Sequence, residues 1–297
     1  MRSGAPQTVR DEILFVARRL HDARVGFGHG TDNADDEAAW LVGHAVGVEP
    51  NRLGTRLSTR PNGRVRAHIR RLLAARIRTR APLAYLLREA WFAGRRFYVD
   101  TRTIVPRSLI GEFLMPGEPS PLAPGGIRRV LDLCTGSGAI AVAAAYAFPK
   151  ARVDAVDISL DALKVAERNR RRHNLAHRLE LIQSDLFSAL SGRRYDLILC
   201  NPPYVSASEM RRLPAEYRRE PRLALAAGRD GLDLIIPILE QAAAHLTARG
   251  RLALEVGASR VRLEARYPNH PFLWLATTDD ECVGYWHRDD LVALAAD

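Results

Sequence analysis

Asn201-Pro202-Pro203-Tyr204 follows directly on the apolar run Tyr195-Asp196-Leu197-Ile198-Leu199-Cys200, where a buried strand should end. Two prolines fix φ there and supply no N–H, which leaves the local carbonyls free to accept from another molecule. The set suits a planar NH2 group. The Asn201 side-chain oxygen and the Pro202 carbonyl can each accept one of its protons while Tyr204 packs on its flat face. With both protons held, the nitrogen lone pair points in one direction. A Pro-Pro turn after a strand accounts for an isolated tetrapeptide equally well, so the reading depends on what converges with it.

Three earlier apolar runs also end in ligand-type residues. The first is Asp132-Leu133-Cys134-Thr135-Gly136-Ser137-Gly138, whose glycines let a ligand approach the main chain and a helix pack close by. Gly-x-Gly without a third glycine suits an amino-acid moiety and ribose better than a pyrophosphate. The second run ends Asp154-Ala155-Val156-Asp157-Ile158, about 20 residues further on, where a carboxylate can take both ribose hydroxyls. Asp157 could equally cap the helix that starts beside Ser159. The third ends Gln183-Ser184-Asp185-Leu186-Phe187, with Asp185 placed for an adenine amino group and Leu186 or Phe187 for its ring. The candidate ligand set is therefore Asp132, Thr135, Gly136, Ser137, Gly138, Asp157, Ile158, Asp185, Leu186, Phe187 and Asn201. The candidate catalytic set is Asn201, Pro202, Pro203 and Tyr204. Four consecutive strand ends with polar or glycine-rich features make a joint signal that chance turns rarely produce.

The elements that would position these residues are legible in the pattern. From Arg128 the chain alternates: strands at Val130–Cys134, Arg152–Val156, Leu179–Gln183 and Asp196–Cys200, helices at Ala139–Phe148 and Leu160–Asn174. A long helix from Leu232 to Thr247, closed by Gly250, should feed a strand from Arg251 to Val256. This is an α/β, doubly wound parallel sheet, which binds ligands at the carboxyl ends of its strands. Before it, amphipathic helices near Thr8–Ala23, Glu37–Val46 and Arg64–Arg78 form a small N-terminal helical domain, residues 1–85. Residues 86–110 read as a connecting β-hairpin with its turn at Asp100, and 111–297 as the α/β domain. Met115 to Gly126 is too rich in Pro and Gly for regular structure.

Composition narrows the class further. The chain has 297 residues with 47% apolar content, enough for a sizeable core, and charged residues interrupt every apolar stretch of membrane-spanning length. Cys134, Cys200 and Cys282 are odd in number and scattered, which suits reduced thiols; the histidines and cysteines show no metal-ligand spacing, so no metal is expected. The segment after Met1 is charged and amphipathic, and a cytoplasmic protein is expected. A net charge of +10, with clusters at Arg70, Arg71, Arg76, Arg78, Arg80 and at Arg168, Arg170, Arg171, Arg172, suits ribosomal RNA contact; the only lysines are Lys150 and Lys164, so an arginine-rich solvated surface is the competing explanation.

The ordered site residues resemble class I S-adenosylmethionine-dependent methyltransferases of Rossmann-like fold, and the tetrapeptide resembles those acting on planar amide or amino nitrogens. Phe27-Gly28-His29-Gly30-Thr31-Asp32-Asn33, Phe97-Tyr98-Val99-Asp100, Val105-Pro106-Arg107-Ser108-Leu109-Ile110-Gly111-Glu112, Cys134 and Glu220-Pro221-Arg222-Leu223-Ala224-Leu225 are similar to the PrmB-type ribosomal-protein glutamine methyltransferases. That resemblance covers nearly the whole chain. It implies S-adenosyl-L-methionine as methyl donor and N(5) of a glutamine in large-subunit ribosomal protein L-three as acceptor. The release-factor glutamine methyltransferases are near relatives, with Ile-Pro-Arg-Pro-Glu-Thr expected where Val105-Pro106-Arg107-Ser108-Leu109-Ile110 stands. A nucleic-acid adenine or guanine amino-methyltransferase is the alternative enzyme, and a non-catalytic ribosome assembly factor the alternative of another class. Cys282-Val283-Gly284-Tyr285-Trp286-His287 is more polar than the last strand of the family pattern.

Overall fold

The computed structural model describes residues 7–115, 117, 121–122, 126–278 and 282–294. They fall into two compact units, residues 1–89 with 214–219 and residues 90–213 with 220–297. In the first, α1 (Val9–Asp22) opens on a capping box between Thr8 and Asp11, and α2 (Ala34–Val46) starts on Asn33 and stops at left-handed Gly47. α3 (Gly63–Thr79), capped by Asn62, and α4 (Leu83–Leu87) complete it. Val16, Leu20, Leu41, Ile69 and Leu83 form its core.

The arginine cluster of α3 is not the open basic patch its sequence suggests. Arg76 is fully buried and donates from Nε to Glu37 (2.8 Å), with Glu216 3.5 Å from its Nη1. Arg70 pairs with buried Glu12 at 2.6 Å, and Arg80 donates to the carbonyls of Ala23 and Arg24. Burial pushes the Glu37 carboxyl up, against the opposing pull of Arg76. Arg170 and Arg171 likewise pair with Glu167.

The second unit begins with a hairpin, β1 (Ala90–Phe92) against β2 (Arg95–Phe97). Its turn is Ala93-Gly94, both at positive φ, and not Asp100. Thr103–Val105 forms no strand, because Asp100 is drawn into bonds with Tyr98 and Arg102. The proline-rich stretch lies partly outside the described residues.

Then follow β3 (Arg129–Leu133), α5 (Ala139–Ala147), β4 (Arg152–Asp157), α6 (Leu160–Arg172), β5 (Leu179–Gln183), β6 (Tyr195–Cys200), α7 (Ala207–Arg212), α8 (Ile235–Ala242), β7 (Leu246–Glu255), α9 (Arg260–Arg266), β8 (Trp274–Leu275), β9 (Val283–His287) and α10 (Arg288–Leu294). Sheet order is β5-β4-β3-β6-β7-β9-β8. β3 to β7 run parallel, but β9 pairs antiparallel with both neighbours, so the sheet is mostly rather than wholly parallel. Despite its polarity the 283–287 run is a regular strand beside β7. Alternate residues fill the two faces: Val130, Val153, Leu197 and Leu199 pack with α5, while Leu131, Leu133, Ile198 and Leu254 pack with α8 and α10.

The expected long helix to Thr247 is shorter. α8 ends at Ala242, a 3-10 turn spans Ala243–His245, and Leu246 already pairs with Tyr195 in the sheet. Gly250 closes no helix; a Cβ there would sit 2.8 Å from the Tyr195 carbonyl and 2.9 Å from Leu246, so glycine permits a tight strand contact.

Candidate active site

The strand order reverses between β3 and β6, which makes their carboxyl ends the switch point of the sheet. The register pairs Leu133 with Cys200, so Cys134 and Asn201 emerge side by side. A cavity opens there and over the ends of β4 and β5. Gly136, Asp157, Ile158, Asp185, Leu186, Asn201 and Pro203 of the candidate set line it.

The glycine turn is held from below by Asp132, which is fully buried. Its Oδ2 accepts from the Thr135 hydroxyl and, at 2.9 Å, from the Ala141 N–H, while Oδ1 has no partner among the described residues. Burial pushes its pKa up to about 7; the two hydrogen bonds pull the other way and the Asp157 charge adds to the rise. Gly136 has φ of +55°, and a Cβ on it would meet nothing within 4 Å, so that space opens on the cavity. Gly138, at +78°, serves packing, since a Cβ there would lie 3.1 Å from the Ala166 Cβ. Asp157 takes the capping role the sequence offered and also lines the cavity. It caps by accepting from Ser159 N–H (2.9 Å) and Gly136 N–H (2.8 Å), one per oxygen, and its remaining lone pairs border the cavity. Burial raises its pKa.

Several candidates lie elsewhere. Thr135 and Ser137 are buried supports: the first donates to Asp132, the second offers its carbonyl to Asn169 Nδ2 at 2.8 Å. Phe187 is 3% exposed and stacks on His245 with 4.6 Å between centroids, so of the Leu186-Phe187 pair only Leu186, at φ +44°, faces the cavity. Tyr204 does not line it either. Its hydroxyl donates to Glu255 at 3.2 Å and its ring covers Gly257. Burial pushes its pKa up. Pro202 is buried, with its carbonyl accepting no bond among the described residues; the Asn201 side chain is equally unengaged there.

Residues outside the candidate site set complete the wall: Arg102, Thr103 and Ile104, which the sequence did not single out, and Cys134, Pro221, Leu223 and Ala224, which entered only as parts of the resemblance. Arg102 is fixed by both oxygens of Asp100 (2.9 and 2.7 Å), which also accepts from Tyr98. These bonds to Arg102 hold the Asp100 carboxyl at about 2. The Asp100-x-Arg102 spacing could have signalled the pair, but it reads as a turn. Glu220 takes two 2.7 Å bonds from Arg107 and one from the Val105 N–H, tying two motifs of the resemblance together.

The donor set fits a cationic amino acid joined to a nucleoside. Apolar walls of Leu133, Val156, Ile158 and Leu186 alternate with the acceptors Asp157 and Asp185. Asp132 does not line the cavity itself: it is fully buried behind the glycine turn, with Oδ1 unpartnered among the described residues. An anionic pyrophosphate would face the two carboxylates of the lining, with Asp132 buried behind them. Among the described residues no cluster of His, Cys, Asp or Glu could hold a metal, and no helix is long and apolar enough to cross a membrane.

The methyltransferase small domain family matches residues 120–216, which span β3 to α7. Among curated proteins, the ribosomal protein uL3 glutamine methyltransferase of Bordetella pertussis is 49% identical over 92% of this chain and 92% of its own. The protein of the same name from Burkholderia pseudomallei is 44% identical over 97% of each. A solved methyltransferase structure from Pyrococcus furiosus aligns at 18% identity and a TM-score of 0.45, covering 64% of this chain and 85% of the other. Identity at this level over more than nine tenths of the chain places it in the ribosomal protein uL3 glutamine methyltransferase family.

Proposed function

We propose that the protein transfers a methyl group from S-adenosyl-L-methionine to the side-chain amide nitrogen of a glutamine in ribosomal protein uL3. The observation that carries the acceptor class is a pair of neutral acceptors at the end of β6 with no partner among the described residues: the Asn201 amide oxygen, whose residue lines the cavity, and the carbonyl of Pro202, the buried residue that follows it. Two acceptors set for one NH2 group fix its plane and aim its lone pair. The donor supplies an electrophilic methyl on a sulfonium. Asp157 and Asp185 would hold its ribose and adenine, and Asp132 its ammonium end, which leaves the target nitrogen to be oriented by Asn201 and Pro202. As the new C–N bond forms, positive charge grows on that nitrogen, and both acceptors stabilise it. The C–S electrons stay with sulfur, and the amide proton passes to water.

Incubation with labelled donor and purified uL3, release factor or ribosomal RNA, followed by protease or nuclease digestion, tests the reading. One methylated glutamine peptide of uL3 is expected; label in release factor or in a base would overturn the assignment. Asn201→Ala should lower turnover by about 100-fold while donor affinity stays nearly unchanged, as for loss of one preorganised transition-state bond.

A ribosomal RNA contact is a second reading, favoured by where the charge lies. Residues 1–89 with 214–219 carry 18 arginines against ten acidic residues, so eight of the chain's ten net positive charges fall in the helical unit. Arg10, Arg56, Arg60, Arg64 and Arg71 are exposed there. Affinity for a ribosomal RNA fragment should fall steeply with salt, with a slope reduced by about one per arginine removed. A salt-independent signal, or no binding at low salt, excludes it.

A further inference from the structure

We propose that Glu255 is a positioning residue which fixes, through the Tyr204 hydroxyl, the turn that presents Asn201 and Pro202 to the target amide. This rests on the clamp reading above and deepens it. The sheet ladder of β6 stops at Cys200, and Pro202 and Pro203 have no N–H to give. The next main-chain bond is donated by Val205, to the Leu225 carbonyl at 2.9 Å. Between these points the turn is anchored at Tyr204. Its carbonyl accepts from Ser259 Oγ at 2.9 Å, and its hydroxyl donates to Glu255. Its ring lies so close to Gly257, itself at φ +48°, that a Cβ there would sit 2.5–2.9 Å from ring atoms.

Glu255 is well built for holding that ring. Leu254 pairs with Cys200, so the residue after it, at the end of β7, stands beside the start of the turn. It is 4% exposed, and its carboxylate gathers three donors: Tyr204 on Oε1, and on Oε2 the Ser108 hydroxyl (2.6 Å) and the Leu109 N–H (2.9 Å). A buried carboxylate that is fully engaged has one preferred orientation, and it passes that orientation to Tyr204. A clamp of two acceptors works only if their mutual placement is held to a fraction of an ångström. Two residues from Pro202, the tyrosine ties the turn to β7.

The test compares Glu255→Gln, Tyr204→Phe and the double variant, reading kcat and KM with the protein substrate, donor affinity by calorimetry, and thermal melting. Gln keeps the size but replaces one acceptor oxygen by NH2, so either the Tyr204 hydroxyl or the Ser108–Leu109 pair loses the acceptor it now donates to. Each single variant is expected to lower kcat on the order of 10-fold with donor affinity within about twofold, because only the target side is loosened. The double variant should be no slower than the slower single one. Ser108→Ala serves as the second probe should Glu255→Gln fail to fold, since it leaves the carboxylate in place, and its kcat should fall as well. Unchanged kcat in these variants, or losses that multiply in the double, overturns the role of Glu255. If Asn201→Ala also keeps full turnover, the clamp reading itself has failed; if it is inactive while Glu255→Gln is not, only the positioning role has.

Discussion

Asp132 provides a pH signature that can be read without any assay of methyl transfer. Burial first, and then the Asp157 charge, pushes its carboxyl from the ordinary aspartate range of about 4 up to about 7 in the folded protein. Below about pH 4 it is protonated in both folded and unfolded chains and contributes no difference. Between about pH 4 and 7 the unfolded chain releases the proton and the native one keeps it, so the native state binds more protons and stability falls with rising pH. The full loss, reached above about pH 7, is three pH units at 1.36 kcal/mol each, or about 4 kcal/mol. Asp132→Asn keeps the shape and an acceptor for Thr135 and Ala141 but removes the charge. Denaturant unfolding of ligand-free protein should show the stability of Asp132→Asn gaining on wild type by about 3 kcal/mol between pH 5 and 8. Asp157, Glu37 and Glu255 are raised as well, which is why the difference between the two proteins, and not the wild-type curve, is the readout. A cationic donor bound in the cavity would favour the ionised form, so its binding should release a proton near pH 7, visible as buffer-dependent calorimetric heats that vanish in Asp132→Asn. A stability difference that is flat with pH would refute the argument.

Two further predictions separate packing from binding. Gly136→Ala should weaken donor binding at least about tenfold with a stability loss of about 1 kcal/mol, since its Cβ enters open cavity space and only the positive φ is strained. Gly138→Ala should instead lower stability by about 2 kcal/mol by denaturant unfolding, because strain at +78° adds to a 3.1 Å contact with Ala166. Arg76→Ala should lower stability by about 3–5 kcal/mol, as it strands the buried Glu37 carboxylate, and Arg76→Ala with Glu37→Gln should recover much of that. Equal effects in the Arg76 single and double variants would show that the pair is not coupled.

The alternation of elements from β3 to β7 was legible because each strand is buried on both faces and reads as an unbroken apolar run with a polar or glycine terminus. That alternation also located four strand ends, and seven of the candidate residues line the cavity they surround. What escaped the sequence was side-chain direction. Leu186 and Phe187 are neighbours of similar character, and only the left-handed backbone at Leu186 turns it to the cavity while Phe187 goes into the core. Tyr204 followed the prolines and looked like a wall for the target, but its hydroxyl is captured by Glu255, a strand residue 51 positions away with no local signature. The hairpin turn was misplaced because Asp100 has the composition of a turn residue yet spends its oxygens on Arg102 and Tyr98. Arg76 in α3 looked like surface because periodicity alone cannot reveal the buried Glu37 and Glu216 that it faces.

The distribution of charge across the cavity itself argues for the chemistry. The carboxylates that line it, Asp157 and Asp185, lie at the ends of β4 and β5, and buried Asp132 stands behind the end of β3, the side that would take a cationic donor. At the end of β6 the acceptors are neutral, an amide oxygen and a proline carbonyl. A carboxylate in their place would attract the sulfonium or hold a protonated amine, whose lone pair is already used. Neutral acceptors engage an uncharged NH2 group and leave its lone pair available, and they gain strength as that nitrogen becomes positive. The nearby carboxylate of Glu255 does not break this division, since all its donors come from the protein and it touches the turn only through the Tyr204 hydroxyl. The same separation explains why the turn contains prolines: a main-chain N–H at 202 or 203 would be a donor competing for the Asn201 oxygen and the Pro202 carbonyl, and proline removes it.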